Sequence, residues 1–305
     1  MAKPALRVGE DTAAGRAVWL RRDAERIGGA LPPLLAEAQG LAATILTGAH
    51  GRRRTGPGEE FWQYRQALPG DVASAIDWRR SARSDTAFIR EMEWDAAQTV
   101  TLWCDRSAAL DYRSNPKGRS KGERAKLLSL AIAVLLGRAG ERVALMESLA
   151  GEPRAGESQL RAIGYSLAQP FEAGDYGIVP PWPDGRGGQA VFLSDFLGDL
   201  AELEATLASA AQRGVRGCLL QINDPAEEAF PFDGRVRFEA MSGPTRFETD
   251  RARGLHEAYT VRFAERRDAL EALARGAGWQ FGIHRTDESP RKALLWAYTL
   301  IGGVK

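Results

Sequence analysis

Two acidic side chains, Asp105 and Asp195, each follow a strand-like apolar run, although they lie about 90 residues apart in the chain. A hydroxyl, Ser107, comes shortly after the first of them. In an open α/β sheet the carboxyl ends of parallel strands meet at one edge, and ligands bind there. Carboxylate and hydroxyl oxygens suit Mg²⁺ or Mn²⁺, so one interpretation is a metal site formed by Asp105, Ser107 and Asp195. Asp and Ser after a strand also accept the free N–H groups of the next helix. The residues alone leave both interpretations open.

A basic tract follows the first of these carboxylates. Residues 113–126 contain six basic side chains and one acid, Glu123, apart from the neighbouring Asp111. The basic residues are Arg113, Lys117, Arg119, Lys121, Arg124 and Lys126. One interpretation is the capture of an acidic partner or a phosphate, and the other is a solvated loop and helix face. The candidates for partner binding are Asp105, Arg106, Ser107, Asp195, Arg113 and Lys117.

A third group of candidates lies upstream, in the segment around IDWRRSARSD. An arginine guanidinium can form two hydrogen bonds to a carboxylate, and this predicts a structural clamp. Arg and Trp together are also common interface anchors. The clamp candidates are Glu60, Arg65, Asp77, Trp78 and Arg83. Residues 51–93 contain eight basic and seven acidic residues, and this balance argues against nucleic acid as the partner.

Enzyme motifs are scarce. His50, His256 and His284 are isolated from one another, and neither a nucleophile elbow nor a phosphate-binding loop is found. His284 ends a strand-like run and is expected at the surface. We therefore expect a non-enzymatic interaction module. The alternative is a metal-dependent hydrolase using Asp105 and Asp195, and a less favoured one is a nucleic-acid adaptor.

Composition narrows the class of protein further. A formal net charge of +1 gives no global field that would favour nucleic acid or an anionic membrane. The longest apolar run, residues 127–137, is far short of a membrane span, and the N-terminus shows no secretory pattern. Cys104 and Cys218 both lie within strand-like runs, which favours a reducing, cytoplasmic location.

From residue 98 onward, strand-like and helical segments alternate, and this order predicts a doubly wound, mostly parallel α/β sheet. The strand-like runs are TVTLWC, RVALMES, AVFLS, VRGCLLQI and WQFGI, and the predicted helices are 119–139, 156–168, 197–213, 254–277 and 289–301. This domain takes residues 96–224 plus 251–305. Helices are predicted in 1–49, and a small β-rich lobe is predicted from 50–95 joined by 225–250.

The segment before this domain resembles the bacterial family called domain of unknown function 58. That family has a Gly-x-Gly-x-Glu-Phe segment followed by Arg, a Pro-Gly-Asp turn, Ile-Asp-Trp and Ser-Ala-Arg. The matching residues here are Gly56, Gly58, Glu60, Phe61, Arg65, Pro69, Gly70, Asp71, Ile76, Asp77, Trp78, Ser81, Ala82 and Arg83. Later segments, INDPAEEAFPF and GWQFGIHRTDESP, also resemble the family, so the likeness covers roughly residues 45–300.

The resemblance implies a von Willebrand factor type A fold with a metal-ion-dependent adhesion site, which begins Asp-x-Ser-x-Ser. In this chain Ala109 replaces the second Ser, and residues 148–170 offer no clear Thr ligand, so the implied site is degenerate. Family members often accompany MoxR-type AAA+ ATPases. The resemblance therefore implies an adaptor or recruiter that works with such an ATPase through this site.

Overall fold

The structure of the chain, a computed structural model, describes most of the sequence. The described residues are 33–45, 61–68, 71–72, 74, 76–82, 86–92, 97–148, 150–170, 174–185, 187–241 and 246–303. They fall into two compact units. The first unit takes the described parts of 1–47 and 99–305, and the second takes those of 48–98.

The elements alternate between strand and helix along most of the chain. The strands are β1 (Phe61–Gln66), β2 (Phe88–Met92), β3 (Thr99–Cys104), β4 (Arg142–Leu145), β5 (Gln189–Ser194), β6 (Arg216–Asn223), β7 (Val236–Glu239), β8 (Arg246–Thr249) and β9 (Gln280–Arg285). The α-helices are α1 (33–45), α2 (Trp78–Ser81), α3 (Lys121–Arg138), α4 (Glu157–Ala168), α5 (Ala201–Gln212), α6 (Pro225–Ala229), α7 (His256–Gly276) and α8 (Pro290–Gly303).

A five-stranded parallel sheet is the centre of the first unit, with strand order β4-β3-β5-β6-β9. All six residues of β5 are buried, because helices cover both faces of the sheet. The chain leaves β3 toward one edge through β4 and returns to the other side of β3 as β5. The topological switch point therefore lies between β3 and β5, where an open sheet forms its ligand crevice.

Alternate strand residues build two hydrophobic cores. Leu102 and Cys104 of β3 face the layer of α3, α4 and α8, and α3 is the most deeply buried of these helices. Trp103 points to the opposite face, where its ring lies 5.7 Å from that of Phe192. Helices α5 and α7 cover this second face through residues such as Leu207. The predicted doubly wound α/β class is confirmed, with each predicted helix and strand of the sheet present.

The second unit contains an antiparallel pair, β1 with β2, and the short helix α2 between them. Asp77 caps α2 by accepting from the backbone N–H of Arg80 at 3.0 Å. In the N-terminal region, 33–45 is helical as predicted, and the rest of 1–49 lies outside the described residues.

The predicted lobe that joins 50–95 with 225–250 differs from the structure. Strand β7 pairs with β8, and β1 pairs with β2, so each segment satisfies its backbone groups locally. The β7–β8 hairpin also belongs to the first unit rather than to the second. Within the described ranges, no helix combines the length and apolarity that crossing a membrane requires.

Candidate functional site

The sheet brings the predicted carboxylates together at the switch point. Asp105 directly follows β3 and Asp195 directly follows β5, and the two strands are hydrogen-bonded neighbours in parallel register. The backbone N–H of Asp105 donates to the carbonyl of Leu193 at 2.9 Å, which extends the pairing to the edge. The predicted convergence is thus confirmed. Both side chains are, however, only 1–2% exposed.

Both oxygens of Asp105 are used inside the protein. Oδ1 accepts from the backbone N–H of Ser107 at 2.8 Å, and Oδ2 accepts from the hydroxyl of Ser194 at 2.6 Å. Burial raises the pKa of the Asp105 carboxyl, although the hydrogen bonds from Ser194 and Ser107 act in the opposite direction. Asp105 therefore fixes the turn after β3, but it does not cap the 3-10 helix at Ala108–Asp111, which begins at Ser107 without a side-chain cap.

The segment 174–178 closes over Asp105 from outside. The backbone N–H groups of Ala108 and Ala109 donate to the carbonyls of Gly174 and Asp175. Gly177 packs directly on the carboxylate: a Cβ atom at this position would lie 2.3 Å from its atoms. A cavity of about 240 Å³ remains between Asp105 and this segment. Asp105 is accordingly a covered group rather than an open docking point.

Asp195 binds a buried ammonium group. The Nζ atom of Lys121 lies 2.7 Å from Oδ2 of Asp195 and 2.5 Å from Oε1 of Glu227. The Lys121 side chain is 1% exposed. The other oxygen of Asp195 accepts from the backbone N–H of Leu197 at 3.0 Å, and its carbonyl accepts from Gln221. The end of β5 therefore carries a complete ion-pair network, defined here as Lys121, Asp195 and Glu227.

The charge of Lys121 is stabilised by its two carboxylate partners. Burial alone would lower the pKa of Lys121, but Asp195 and Glu227 outweigh it, and the pKa is raised above its ordinary value. Lys121 is the first residue of α3, after the Ser120 cap. The helix dipole disfavours a cation at that end, so the paired acids are what keep an ammonium there.

Helix α6 belongs to the same network. Asp224 caps it by accepting from the backbone N–H of Ala226 at 2.9 Å, while Glu227 reaches back to the N–H of Asp224. The second oxygen of Asp224 accepts from the N–H of Ser114 at 2.9 Å, in the loop that leads to α3. The ends of β5 and β6 and the start of α3 are thus tied to one another.

Most of the basic tract turns inward or is neutralised. Besides Lys121, Arg124 is buried and donates to the carbonyls of Thr286 and Glu288. Arg119 pairs with Glu37 at 2.8 Å. Arg113 lies 3.5 Å from Glu123, although it is exposed like Lys117. The tract is therefore mainly structural, and Arg113 and Lys117 are the predicted partner-binding residues that solvent reaches freely.

The predicted partner-binding set therefore splits by burial. Asp105, Ser107 and Asp195 are buried, and a partner side chain does not reach them in this conformation. Arg106 bends over the surface and donates to the carbonyls of Ser166 and Glu147.

Residues 63–269 match the family described as protein of unknown function DUF58. The chain belongs to this family. The relatives that it matches include uncharacterized proteins of Mycobacterium bovis and of two Mycobacterium tuberculosis strains. Each is 30% identical over 258 residues, which cover 80% of this chain and 80% of the relative. No solved structure matches the chain.

In this DUF58-family protein one residue of the predicted clamp, Arg65, bridges a carboxylate, although that carboxylate, Asp71, was not among the clamp candidates. Arg65 forms a two-pronged ion pair with Asp71, with both N–O distances 2.7 Å. This pair and the backbone N–H of Leu68 lower the pKa of Asp71 to about 2. Asp77 caps α2 and also accepts from the hydroxyl of Tyr64 at 3.2 Å, and Trp78 is 64% exposed. Glu60 and Arg83 lie outside the described residues.

His284 is buried, and the expectation of a surface histidine is wrong. It ends β9 and is 2% exposed, because Arg124 and the turn at residues 286–288 cover it. A guanidinium nitrogen of Arg124 lies 3.3 Å from its Nε2. Burial, followed by the Arg124 charge, lowers the pKa of His284 to about 4. The imidazole is therefore neutral at pH 7.

The donor set of Asp105, Ser107 and Asp195 does not fit a divalent cation as folded. Each of the four carboxylate oxygens already accepts a hydrogen bond or an ion pair, and the Lys121 ammonium holds the charge that a metal would supply. Of the side-chain oxygens in this donor set, the Ser107 hydroxyl is the one that is buried without a hydrogen-bond partner in the described structure. No group of three His, Cys, Asp or Glu side chains in the described part of the chain is placed to bind a metal.

Two members of the network, Lys121 and Glu227, were not singled out from the sequence. A signal exists for each of them. Lys121 is the second residue of a Ser-x-x-Glu pattern that begins a helix, where a cation is unfavourable unless acids compensate it. Glu227 ends an Asp-x-x-Glu pattern directly after a strand. Neither pattern identifies the partner, since Lys121 lies 74 residues from Asp195 and 106 from Glu227.

Replacing Gly177 by alanine should displace segment 174–178 or the Asp105 carboxylate. The added methyl group would overlap the carboxylate, and overpacking of this kind costs about 1–3 kcal/mol of unfolding free energy. Urea unfolding measures the loss. Gly174→Ala is the matched control, because no atom lies within 4 Å of its added Cβ. Equal stability of the two variants would show that Gly177 does not pack on Asp105 in solution.

Proposed function

We propose that this protein is a non-enzymatic protein-interaction module, which acts in the cytoplasm as an adaptor or recruiter for a MoxR-type AAA+ ATPase. The observation that best supports a non-enzymatic function is the buried ion-pair network of Lys121, Asp195 and Glu227 at the switch point. An open α/β sheet would hold substrate at this place. Here the charges satisfy one another, and segment 174–178 covers the remaining carboxylate.

The partner and the finer fold type rest on the family resemblance. The motifs quoted above resemble a family whose members accompany MoxR-type ATPases, and membership of the DUF58 family supports that inference. The doubly wound parallel sheet, with acids following β3 and β5, supports a von Willebrand factor type A-like domain. In this proposal the adhesion site is degenerate, and Lys121 takes the place of its cation.

The rival function is a metal-dependent hydrolase that uses Asp105 and Asp195. It requires a metal-bound water and free carboxylate oxygens, whereas each of these oxygens already has an internal partner. We favour the interaction module for this reason.

Equilibrium dialysis with Mg²⁺ and Mn²⁺ distinguishes the two functions. The wild-type protein should bind no more Mg²⁺ or Mn²⁺ than Asp105→Ala does, because the carboxylate oxygens that would bind the ion already have partners within the protein. A parallel screen with phosphate-ester and carboxylic-ester substrates should show no turnover above the uncatalysed rate. Metal-dependent turnover that Asp105→Ala abolishes would establish the hydrolase and refute the interaction module.

The partner is tested with a purified MoxR-type AAA+ ATPase from the same genome. Immobilised full-length chain should retain the ATPase, and adding the chain should change its rate of ATP hydrolysis. A MoxR-unrelated AAA+ ATPase is the control protein. Arg113→Glu with Lys117→Glu tests the exposed residues of the predicted site separately. Retention of neither ATPase by wild type would refute this choice of partner.

A further inference from the structure

An aromatic groove lies between the β7–β8 hairpin and the first half of α7, away from the carboxylates of the switch point. Its volume is about 470 Å³. The residues that matter here are Phe230, Phe238, Phe247, Leu255, Tyr259 and Arg262. Phe247 is 54% exposed. Exposed apolar surface bounded by polar residues marks interaction sites.

The floor of the aromatic groove is a continuous stack of rings. The Phe230 centroid lies 4.6 Å from that of Tyr259 and 6.0 Å from that of Phe238. Phe238 and Phe247 are direct cross-strand partners, with ring centroids 6.4 Å apart. Such a floor offers a large apolar contact area that loses little side-chain freedom when a partner covers it.

Ion pairs of α6 fix the Phe230 side of the floor. Phe230 ends α6 in the left-handed region, with φ 41°. Glu227, in the preceding turn, is bound to Lys121, and Glu228 is paired with Arg267. The groove is therefore formed before any partner binds, which lowers the entropy cost of binding.

One face of α7 supplies the charged side of the groove. Leu255, at its start, and Tyr259 and Arg262 follow the spacing of a single helix face, whereas Glu257 falls on the opposite face. Arg262 is exposed, and it has no acidic partner among the described residues.

Charges on the neighbouring hairpin pair with one another instead. Arg237 and Arg246 both reach Glu239, while Arg235 lies near Glu248 and Asp250. Among the described residues that line the groove, the guanidinium of Arg262 is thus the cation without an ion-pair partner. An apolar floor beside an unpaired cation is complementary to an apolar side chain beside a carboxylate.

We infer that the aromatic groove docks a segment of a partner protein that carries a large apolar side chain next to acidic residues. This inference deepens the proposed function and rests on it, since it names the chemistry of the bound segment. The aromatic rings bind the apolar side chain, and Arg262 pairs with a carboxylate.

Fluorescence anisotropy with two labelled peptides tests the inference on the full chain. Both peptides contain tryptophan and leucine; one flanks them with glutamates and the other with lysines. Wild type should bind the acidic peptide about tenfold more tightly than the basic one. Phe247→Asp should weaken binding of the acidic peptide at least about tenfold, and Arg262→Glu should reverse the preference between the peptides.

Matched controls are Leu295→Asp, at another exposed apolar residue, and Arg161→Glu, at another exposed arginine. They should bind like wild type, and unfolding midpoints check that every variant is folded. The inference is overturned if the acidic peptide does not bind, if Phe247→Asp binds it normally, or if the basic peptide is preferred.

The ATPase experiment separates this inference from the proposed function. If Phe247→Asp and Arg262→Glu retain the ATPase as well as wild type does, the groove is not the docking site although the function stands. If the acidic peptide binds in the groove but no ATPase is retained, the groove stands and the choice of partner fails.

Discussion

Lys121→Met should lower the free energy of unfolding by about 3–5 kcal/mol, because it leaves Asp195 and Glu227 buried without their cation. Removing one partner of a buried ion pair has effects of this size. Lys121 and Asp195 are each 1% exposed, so water does not replace the lost ammonium. Urea unfolding followed by circular dichroism measures the change. Lys117→Met is the matched control, since Lys117 is exposed, and should change stability by less than about 0.5 kcal/mol.

A second variant keeps this prediction informative if Lys121→Met fails to fold. Lys121→Met combined with Asp195→Asn and Glu227→Gln removes all three charges, and it should recover much of the lost stability. The ion-pair network would be contradicted if Lys121→Met cost less than about 1 kcal/mol. It would also be contradicted if the triple variant were less stable than the single one.

His284 should make the protein less stable as the pH falls from about 6.5 to about 4. Its folded-state pKa is about 4, below the ordinary value of about 6.5, so the unfolded chain takes up the proton first. The stability from neutral His284 is complete above about pH 6.5 and decreases as the pH falls through this window. The shift corresponds to about 3 kcal/mol.

Carboxylates titrate in the same pH range, so the effect of His284 is measured as the difference in unfolding free energy between wild type and a His284 variant. The unfolding free energy of wild type should fall more steeply over this window than that of His284→Gln, whose side chain can still accept from Arg124. His256→Gln replaces an exposed histidine and should follow wild type. Parallel pH profiles for wild type and His284→Gln would show that burial does not hold this imidazole neutral.

The sheet could be predicted from the sequence because its central strands, β3, β5 and β6, are buried on both faces. TVTLWC and AVFLS contain mostly apolar residues and no charged ones, and such runs between helices are typical of a parallel sheet. The same logic placed Asp105 and Asp195 at one edge, because parallel strands align their carboxyl ends. Helix ends were also predictable where caps mark them, as Ser120 and Glu123 do for α3.

The contacts within the site could not be predicted, because the spacing of residues along the sequence does not show which way each side chain points. Lys121 was one of six basic residues in a tract, and nothing local distinguishes an inward lysine from a solvated one. His284 was expected at the surface because its cover, Arg124, lies 160 residues away in the sequence. The sequence predicts that β7 and β8 belong to another lobe. A β-like sequence pattern shows that a strand needs a pairing partner, but it does not identify the strand with which it pairs.

The hydrophobic core under α3, α4 and α8 also holds both of the protein's thiols. Cys104 and Cys218 are both free and buried, and burial raises the pKa of Cys104 to about 11 and of Cys218 to about 12. Thiolate is the reactive form, so alkylating reagents and mild oxidants find little to attack in the folded state. A single cysteine introduced on the surface can therefore carry a fluorophore or spin label without first removing the native ones.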